Sequence, residues 1–471
     1  MLTQRKTPSP VLAGLLAVAS LVAGPFVGPA QAKPAAAPVH ERTLDNGLKV
    51  LVLPDPRAPV ATHQVWYKVG SADEPGGITG IAHMFEHMMF KGTETLGPGE
   101  FSDIIARLGG EENAFTGRDF TAYFQTLSAA ELETVMRWEA DRMANLKLDA
   151  DEFAREKDVV REEWRSRVRD NPNARLDQLL HATAFSSSGY HHPIIGWKTD
   201  IDAYTVDDLR DWYQTHYAPN NATLIVVGDV DPEAVFELAE THYGPIEPRE
   251  IAAAKPREEM AQHGTRRAEL VIPARLPRLS MGFKVPSLVT AEDPREAYAL
   301  TVAAGVLSGD SGARLANDLV RQGKLANASA SYNINARQTT LFSLDATPKN
   351  GQPLDEVESL LREQVERLRD EPVGEEELDR IKAQVVASEV YQRDSLFYQG
   401  MKIGIYETVG LGYEQADRFV EAIQAVTAED VRAVARKYLD DRRLTVATLE
   451  PESDDSEPAL PSPTGGIDRV H

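Results

Sequence analysis

The 471-residue sequence predicts an α+β fold built from two related units in one chain. Three observations carry this expectation. Strand-like and helix-like runs alternate in two blocks, separated by a Pro-rich, charged stretch at 246–265. A ten-residue pattern recurs: Ile201-Asp202-Ala203-Tyr204-Thr205-Val206-Asp207-Asp208-Leu209-Arg210 aligns with Ile423-Gln424-Ala425-Val426-Thr427-Ala428-Glu429-Asp430-Val431-Arg432. Finally, about 440 residues remain after a removable leader, more than one ordinary core organises.

The leader comes first. Arg5 and Lys6 precede an apolar run at 11–22, and Ala30-Gln31-Ala32 is a small-x-small cleavage signal, so residues 1–32 read as a secretory signal peptide. The alternative is an uncleaved anchor, but the run is short for a span and is broken at Gly24 and Pro25. No other stretch is apolar enough to cross a bilayer, so an exported chain is expected, with the periplasm as its compartment. There is no cysteine, which excludes disulfides, a thiol nucleophile and thiolate metal ligands. Without residues 1–32, which hold two bases and no acid, 48 bases face 73 acids, a formal charge of −25. That balance argues against nucleic acid as a partner.

Residues 33–40 are a Pro/Ala leader. Residues 42–54 read as a hairpin turning at Asn46-Gly47, with Leu48, Val50, Leu51 and Val52 on its second arm. A strand follows at 60–69. Residues 101–108 form a helix that stops at Gly109-Gly110. The stretch 114–127 looks extended, and 129–143 and 149–169 are long amphipathic helices. In each copy of the ten-residue pattern, a Thr followed by an acid caps a helix that ends in a tyrosine, Tyr217 or Tyr438. Each helix leads into an apolar strand, at 223–227 and 444–449. Asp231-Pro232 opens a further helix. The expected domains are therefore 33–245, a linker at 246–265, 266–450, and a disordered acidic tail at 451–471.

Chemistry concentrates at His83-Met84-Phe85-Glu86-His87. On a helix, residues four apart share a face, so both imidazoles can meet one cation, and Glu86 falls close to the same face. Two imidazoles and a carboxylate beside an open position suit a hydrolytic zinc site. The order is H-x-x-E-H, the inverse of the commoner H-E-x-x-H. Apolar Ile78, Ile81, Met84, Phe85, Met88, Met89 and Phe90 surround it, and buried histidines need partners. The second block has no such motif. A carboxylate is the expected third ligand, and the 149–169 helix offers Glu156, Glu162 and Glu163; Glu156 and Glu163, seven apart, share a face.

These residues resemble the insulinase/pitrilysin family of zinc peptidases, in particular its short-chain branch that includes mitochondrial processing peptidase, over nearly all of 41–450. The resemblance implies His83, His87 and Glu163 as ligands of one Zn²⁺ and Glu86 as general base. It places Glu156, seven residues before Glu163, in a supporting position, and Glu162 reads as a solvated face. It implies two α+β units, each a sheet with helices on one face, closing like a clamshell. Asn113-Ala114-Phe115-Thr116 resembles the family's edge strand that pairs with a bound peptide. Active single-chain relatives carry an Arg and a Tyr, seven apart, in the half without metal. Here Arg321 occupies roughly the Arg position as a candidate substrate contact, but Asn327 or Ala328 stands where the Tyr belongs, and Tyr332 lies too far along. The resemblance therefore implies a metalloendopeptidase that works with a homologous second subunit, a homodimer being the second choice. The rival classes are a non-catalytic assembly subunit and a zinc hydrolase acting on something other than peptides.

Overall fold

The computed structural model describes residues 38–251 and 257–452. The signal segment, residues 33–37, residues 252–256 of the linker and the tail from 453 lie outside the described residues.

The first sheet contains β1 (His40–Thr43), β2 (Lys49–Pro54), β3 (Val60–Tyr67), β4 (Glu111–Thr116), β5 (Thr121–Ser128) and β6 (Ala222–Gly228). Their order is β1-β2-β6-β3-β5-β4, with β2 and β6 parallel and the other pairs antiparallel. Gly47 closes the β1–β2 hairpin at φ +85°, a conformation glycine adopts without steric cost. The extended run expected at 114–127 is two strands. Gly117, Arg118, Asp119 and Phe120 form a tight turn in which the Gly117 N–H donates to the Phe120 carbonyl at 2.8 Å. Gly and Asp are turn formers, and they interrupt the run where it must reverse.

The second sheet contains β7 (Arg266–Ile272), β8 (Arg278–Val285), β9 (Asn327–Tyr332), β10 (Thr340–Thr347) and β11 (Leu444–Pro451), in the order β7-β11-β8-β10-β9. Again only the β7–β11 pair is parallel. Apart from β1, the two sheets share order and strand directions, so the duplication read from ten residues extends to the whole topology. β4 and β9 are the matching free edges.

The helices of the first half are α1 (Ile81–Met88), α2 (Glu100–Arg107), α3 (Leu132–Asn145), α4 (Ala150–Trp164), α5 (Pro172–Ala184), α6 (Lys198–Ala203), α7 (Val206–His216) and α8 (Pro232–His242). Those of the second are α9 (Pro294–Ser308), α10 (Leu354–Asp370), α11 (Glu375–Gln392), α12 (Leu396–Thr408), α13 (Glu414–Asp417), α14 (Phe419–Ala425) and α15 (Ala428–Tyr438). The repeated pattern forms α6–α7 and α14–α15. Thr205 and Thr427 each accept from the N–H three residues on, and Asp208 and Asp430 reciprocate, two complete capping boxes.

One core joins the inner face of the first sheet to α1, α3, α7 and α8; the other joins the second sheet to α9, α10 and α15. Each sheet carries helices on one face, as expected, and its other face is covered as well. The outer faces carry apolar side chains that need cover, and each takes it from the opposite half. Leu176, Leu180 and Ala184 of α5 pack with Leu341, Ala447 and Leu449 of the second sheet. Ile403 of α12 packs with Leu51, Trp66, Ile225 and Val227 of the first. Gly400 and Gly404 let α12 lie flat: a Cβ at Gly404 would fall inside the Trp66 indole, and one at Gly400 would meet the Gln64 amide.

The described end of the linker is tied down. Glu259 pairs with Lys284 at 2.6 Å and accepts the N–H groups of Ser186, Ser187 and Ser188 at 3.0 Å each. The second sheet also runs one residue past the expected boundary, to Pro451, and Glu452 N–H donates to the Ile272 carbonyl. Among the described residues, no helix is long and apolar enough to cross a membrane.

Candidate metal centre

Helix α1 is built to hold His83 and His87 rigidly. Ile81, Ala82, Met84, Phe85 and Met88 are buried, and the Phe85 ring lies 4.0 Å from that of Tyr217, centroid to centroid. Gly80 caps the helix at φ +87°, where a side chain would also collide with the Ile195 carbonyl. The fully buried Glu74 carboxylate accepts from Gly80 N–H at 2.7 Å and Ala82 N–H at 2.9 Å, satisfying donors that a helix start leaves free. Asp200 accepts from the N–H groups of Gly77 and Thr79 and from the Thr79 hydroxyl. The approach to the helix is thus anchored as firmly as its apolar face.

Helix α4 crosses beside α1 and delivers two of the three expected carboxylates. Glu163 lies between the imidazoles, with Oε1 3.7 Å from His83 Nε2 and Oε2 3.2 Å from His87 Nε2. One ligand atom from each of these three residues lies within 4.8 Å of the other two, the one such cluster among the described residues. Glu156 sits one layer out, accepting from His87 Nδ1 at 2.9 Å and pairing with Lys91 at 2.5 Å. Glu162 faces outward and pairs with Arg165.

The electrostatics fit a divalent cation. Burial, reinforced by the neighbouring His87, pulls His83 down to about 4, so its ring is neutral with a lone pair to offer. Burial pulls His87 the other way from its partners, but Glu156 and Glu163 win and hold a proton on that ring up to about 9. A cation between the rings would take that proton's place. Two imidazoles and a carboxylate form a donor set of the kind catalytic zinc uses. Burial also pushes the Glu86 carboxyl up, while a hydrogen bond from the Thr116 hydroxyl pulls it back.

These groups open into a cavity of about 540 Å³ lined by His83, Glu86, His87, Glu163 and residues 113–116. Asn113, Ala114, Phe115 and Thr116 all lie on β4, whose outer edge pairs with no other strand among the described residues. Phe115 turns its ring toward Trp66, at 5.3 Å, while Thr116 reaches Glu86. Arg321 is not among the lining residues: it is exposed and donates to Asn317 at 2.6 Å. Every lining residue belongs to the first half. Tyr332 is likewise elsewhere, donating to the Pro286 carbonyl.

Sequence reasoning missed several residues. Glu74 braces α1 through the backbone, which leaves no side-chain pattern to read. Arg167 also lines the cavity and pairs with Glu163 at 2.8 Å. Its i+4 spacing from Glu163 was a readable signal, and it lies on a π-helical turn (Arg165–Arg169) that continues α4. Ile194 walls the cavity from a loop with no motif at all.

Known proteins resemble this chain in sequence and fold. A family model described as "Insulinase (Peptidase family M16)" matches residues 49–198, and one described as "Peptidase M16 inactive domain" matches 203–385. Zinc protease PqqE of Helicobacter pylori is 32% identical over 422 residues, 88% of this chain and 93% of its own. The mitochondrial-processing peptidase subunit beta of Lentinula edodes is 27% identical over 86% of this chain and 89% of its own. Among solved structures, a protease from Helicobacter pylori superposes with a TM-score of 0.84 at 30% identity, over 88% of this chain and all of that one. The periplasmic protease PqqL from Escherichia coli shares the fold at a TM-score of 0.73 and 19% identity, with 88% of this chain matched to 48% of that one.

Proposed function

Because the chain belongs to the insulinase (M16) family of zinc peptidases, we propose that it is a metalloendopeptidase cutting extended or unfolded peptide segments. The observation that carries this reading is the meeting of His83, His87 and Glu163 with Glu86 in a cavity walled by the free edge of β4. His83, His87 and Glu163 would hold one Zn²⁺, and Glu156 would keep the His87 ring in place through Nδ1. When bound, zinc acidifies a water and polarises a carbonyl. The residues of the chain supply the rest. A peptide aligned on β4 gains main-chain hydrogen bonds whatever its side chains, which suits broad specificity. Glu86, raised by burial and steadied by Thr116, takes a proton from the attacking water and returns it to the departing amine.

The second half contributes no residue to the cavity wall among the described residues, and Arg321 points elsewhere. This supports the reading that a homologous subunit supplies the charge opposite the scissile carbonyl. One missing donor of that kind costs about 3 kcal/mol of transition-state stabilisation, so the chain alone is expected to be a poor enzyme. The basic, apolar and small-residue pattern of 1–32 supports export to the periplasm.

The deciding experiment is metal analysis and a peptidase assay of the wild type beside Glu86→Gln, with and without a co-expressed homologue. Retained zinc with lost cleavage supports the base assignment, and unchanged cleavage in Glu86→Gln refutes it. Robust turnover by the isolated monomer sinks the two-subunit reading.

A further inference from the structure

The turn between β4 and β5 places Arg118 in a second cavity, of about 530 Å³, between the two halves. Phe120, His181 and Tyr190 line it from the first half of the chain, Tyr332 and Leu341 from the second. Ile194 lines this cavity and the metal cavity alike, so the two adjoin at the end of β4.

Arg118 is held from several directions. Its carbonyl accepts from Ala72 N–H at 2.8 Å, its Nη1 donates to the Tyr190 carbonyl, and its guanidinium lies 5.3 Å from the Tyr190 ring centroid. Its neighbour Asp119 is already engaged, with the Tyr190 hydroxyl and with Arg337, whose Nε lies 3.4 Å away. Arg337 is shared in turn with Asp73 at 2.8 Å. Among the described residues, no carboxylate forms an ion pair with Arg118, and its Nε and Nη2 donors have no hydrogen-bond partner. Burial and the charge of Arg118 push His181 down to about 3, so that ring is neutral and does not compete for an anion. A fixed, partly buried guanidinium with free fork donors matches a carboxylate in shape and charge.

We propose that Arg118 is a specificity residue that captures a carboxylate of the bound peptide, either an Asp or Glu side chain or the peptide's C-terminus. This rests on the peptidase reading and on alignment of the peptide along β4. Thr116 contacts Glu86, and Arg118 lies two residues beyond it. Arg118 sits in the turn that ends β4, so the captured carboxylate falls just past the segment of peptide that pairs with β4.

The test uses the zinc-loaded Glu86→Gln chain, which binds without cutting, and short fluorescent peptides read by anisotropy. One arm moves a single Glu along a neutral, amidated peptide; the other compares free and amidated C-termini. The expected result is one Glu position, or the free C-terminus, binding about tenfold more tightly than the neutral amidated parent. Adding Arg118→Gln should bring that ratio to near one, Arg118→Glu should shift the preference to Lys at the same position, and Arg118→Lys should keep an intermediate ratio and report that the fold survives. A flat scan, or a ratio that persists in Arg118→Gln, overturns the proposal. Failure of the peptidase reading looks different: the ratio stands, but the chain with Glu86 intact, together with its partner, cuts none of the peptides.

Discussion

Glu156 accepts a hydrogen bond from His87 Nδ1 at 2.9 Å while its other oxygen holds Lys91. Burial alone would discourage its charge, yet His87 and Lys91 keep the carboxyl below its ordinary value. The carboxylate is therefore placed to orient the imidazole from outside the His83, His87 and Glu163 cluster that would hold a cation. Replacing Glu156 with Gln should weaken zinc binding about 10–100-fold, measured by competition with a chromophoric chelator. An unchanged affinity would return Glu156 to the status of an ordinary helix-face acid.

Glu86 has the opposite signature. It lies outside the His83, His87 and Glu163 cluster that would hold the metal, so Glu86→Gln should leave zinc stoichiometry intact while lowering kcat by about 10²–10⁴-fold. Zinc content and turnover of one preparation, measured with and without a co-expressed homologue, separate the two effects.

Gly404 of α12 packs directly against Trp66 of β3, across the two halves. Gly404→Ala forces a methyl group into a buried indole and should cost about 1–3 kcal/mol, seen as a lower urea midpoint. Gly410, whose added Cβ would meet nothing within 4 Å but whose φ is +88°, should respond through backbone strain instead.

The Glu259 carboxyl predicts a pH dependence. Burial raises it, but Lys284 and three backbone N–H groups prevail and bring it to about 2. A carboxylate with a depressed folded pKa stabilises the fold above the unfolded value near 4.5, and the stabilisation disappears as pH falls toward 2. The gap in thermal midpoint between wild type and Glu259→Gln should be widest at neutral pH and close between pH 4.5 and 2. A gap that does not change with pH would assign its effect to shape rather than charge.

How much of this was readable depended on range. His83, Glu86 and His87 lie within one turn and a half of a helix, so their spacing alone brings them together. Glu163 is 76 residues from His87, and only the family resemblance selected it from three acids on one helix. The contact between Glu74 and α1 was invisible, because it ends on backbone N–H groups that every residue possesses. Leu176, Leu180 and Ala184 mark an apolar stripe on α5, yet a stripe states which face is buried and not against which sheet. The reversal at 117–120 was hidden by Phe115 and Phe120, which lengthen the apparent strand on both sides of the turn.

The exchange of α5 and α12 has a mechanical meaning. Opening the molecule cannot be a parting of the first half of the chain from the second, because each carries a helix bonded to the other's sheet. The packed bodies are therefore defined by which sheet a helix lies on, and the chain crosses between them more than once. A protease nick within 252–256 should release no fragment. The pieces related by the repeated topology and the pieces that pack as one body are different sets of residues.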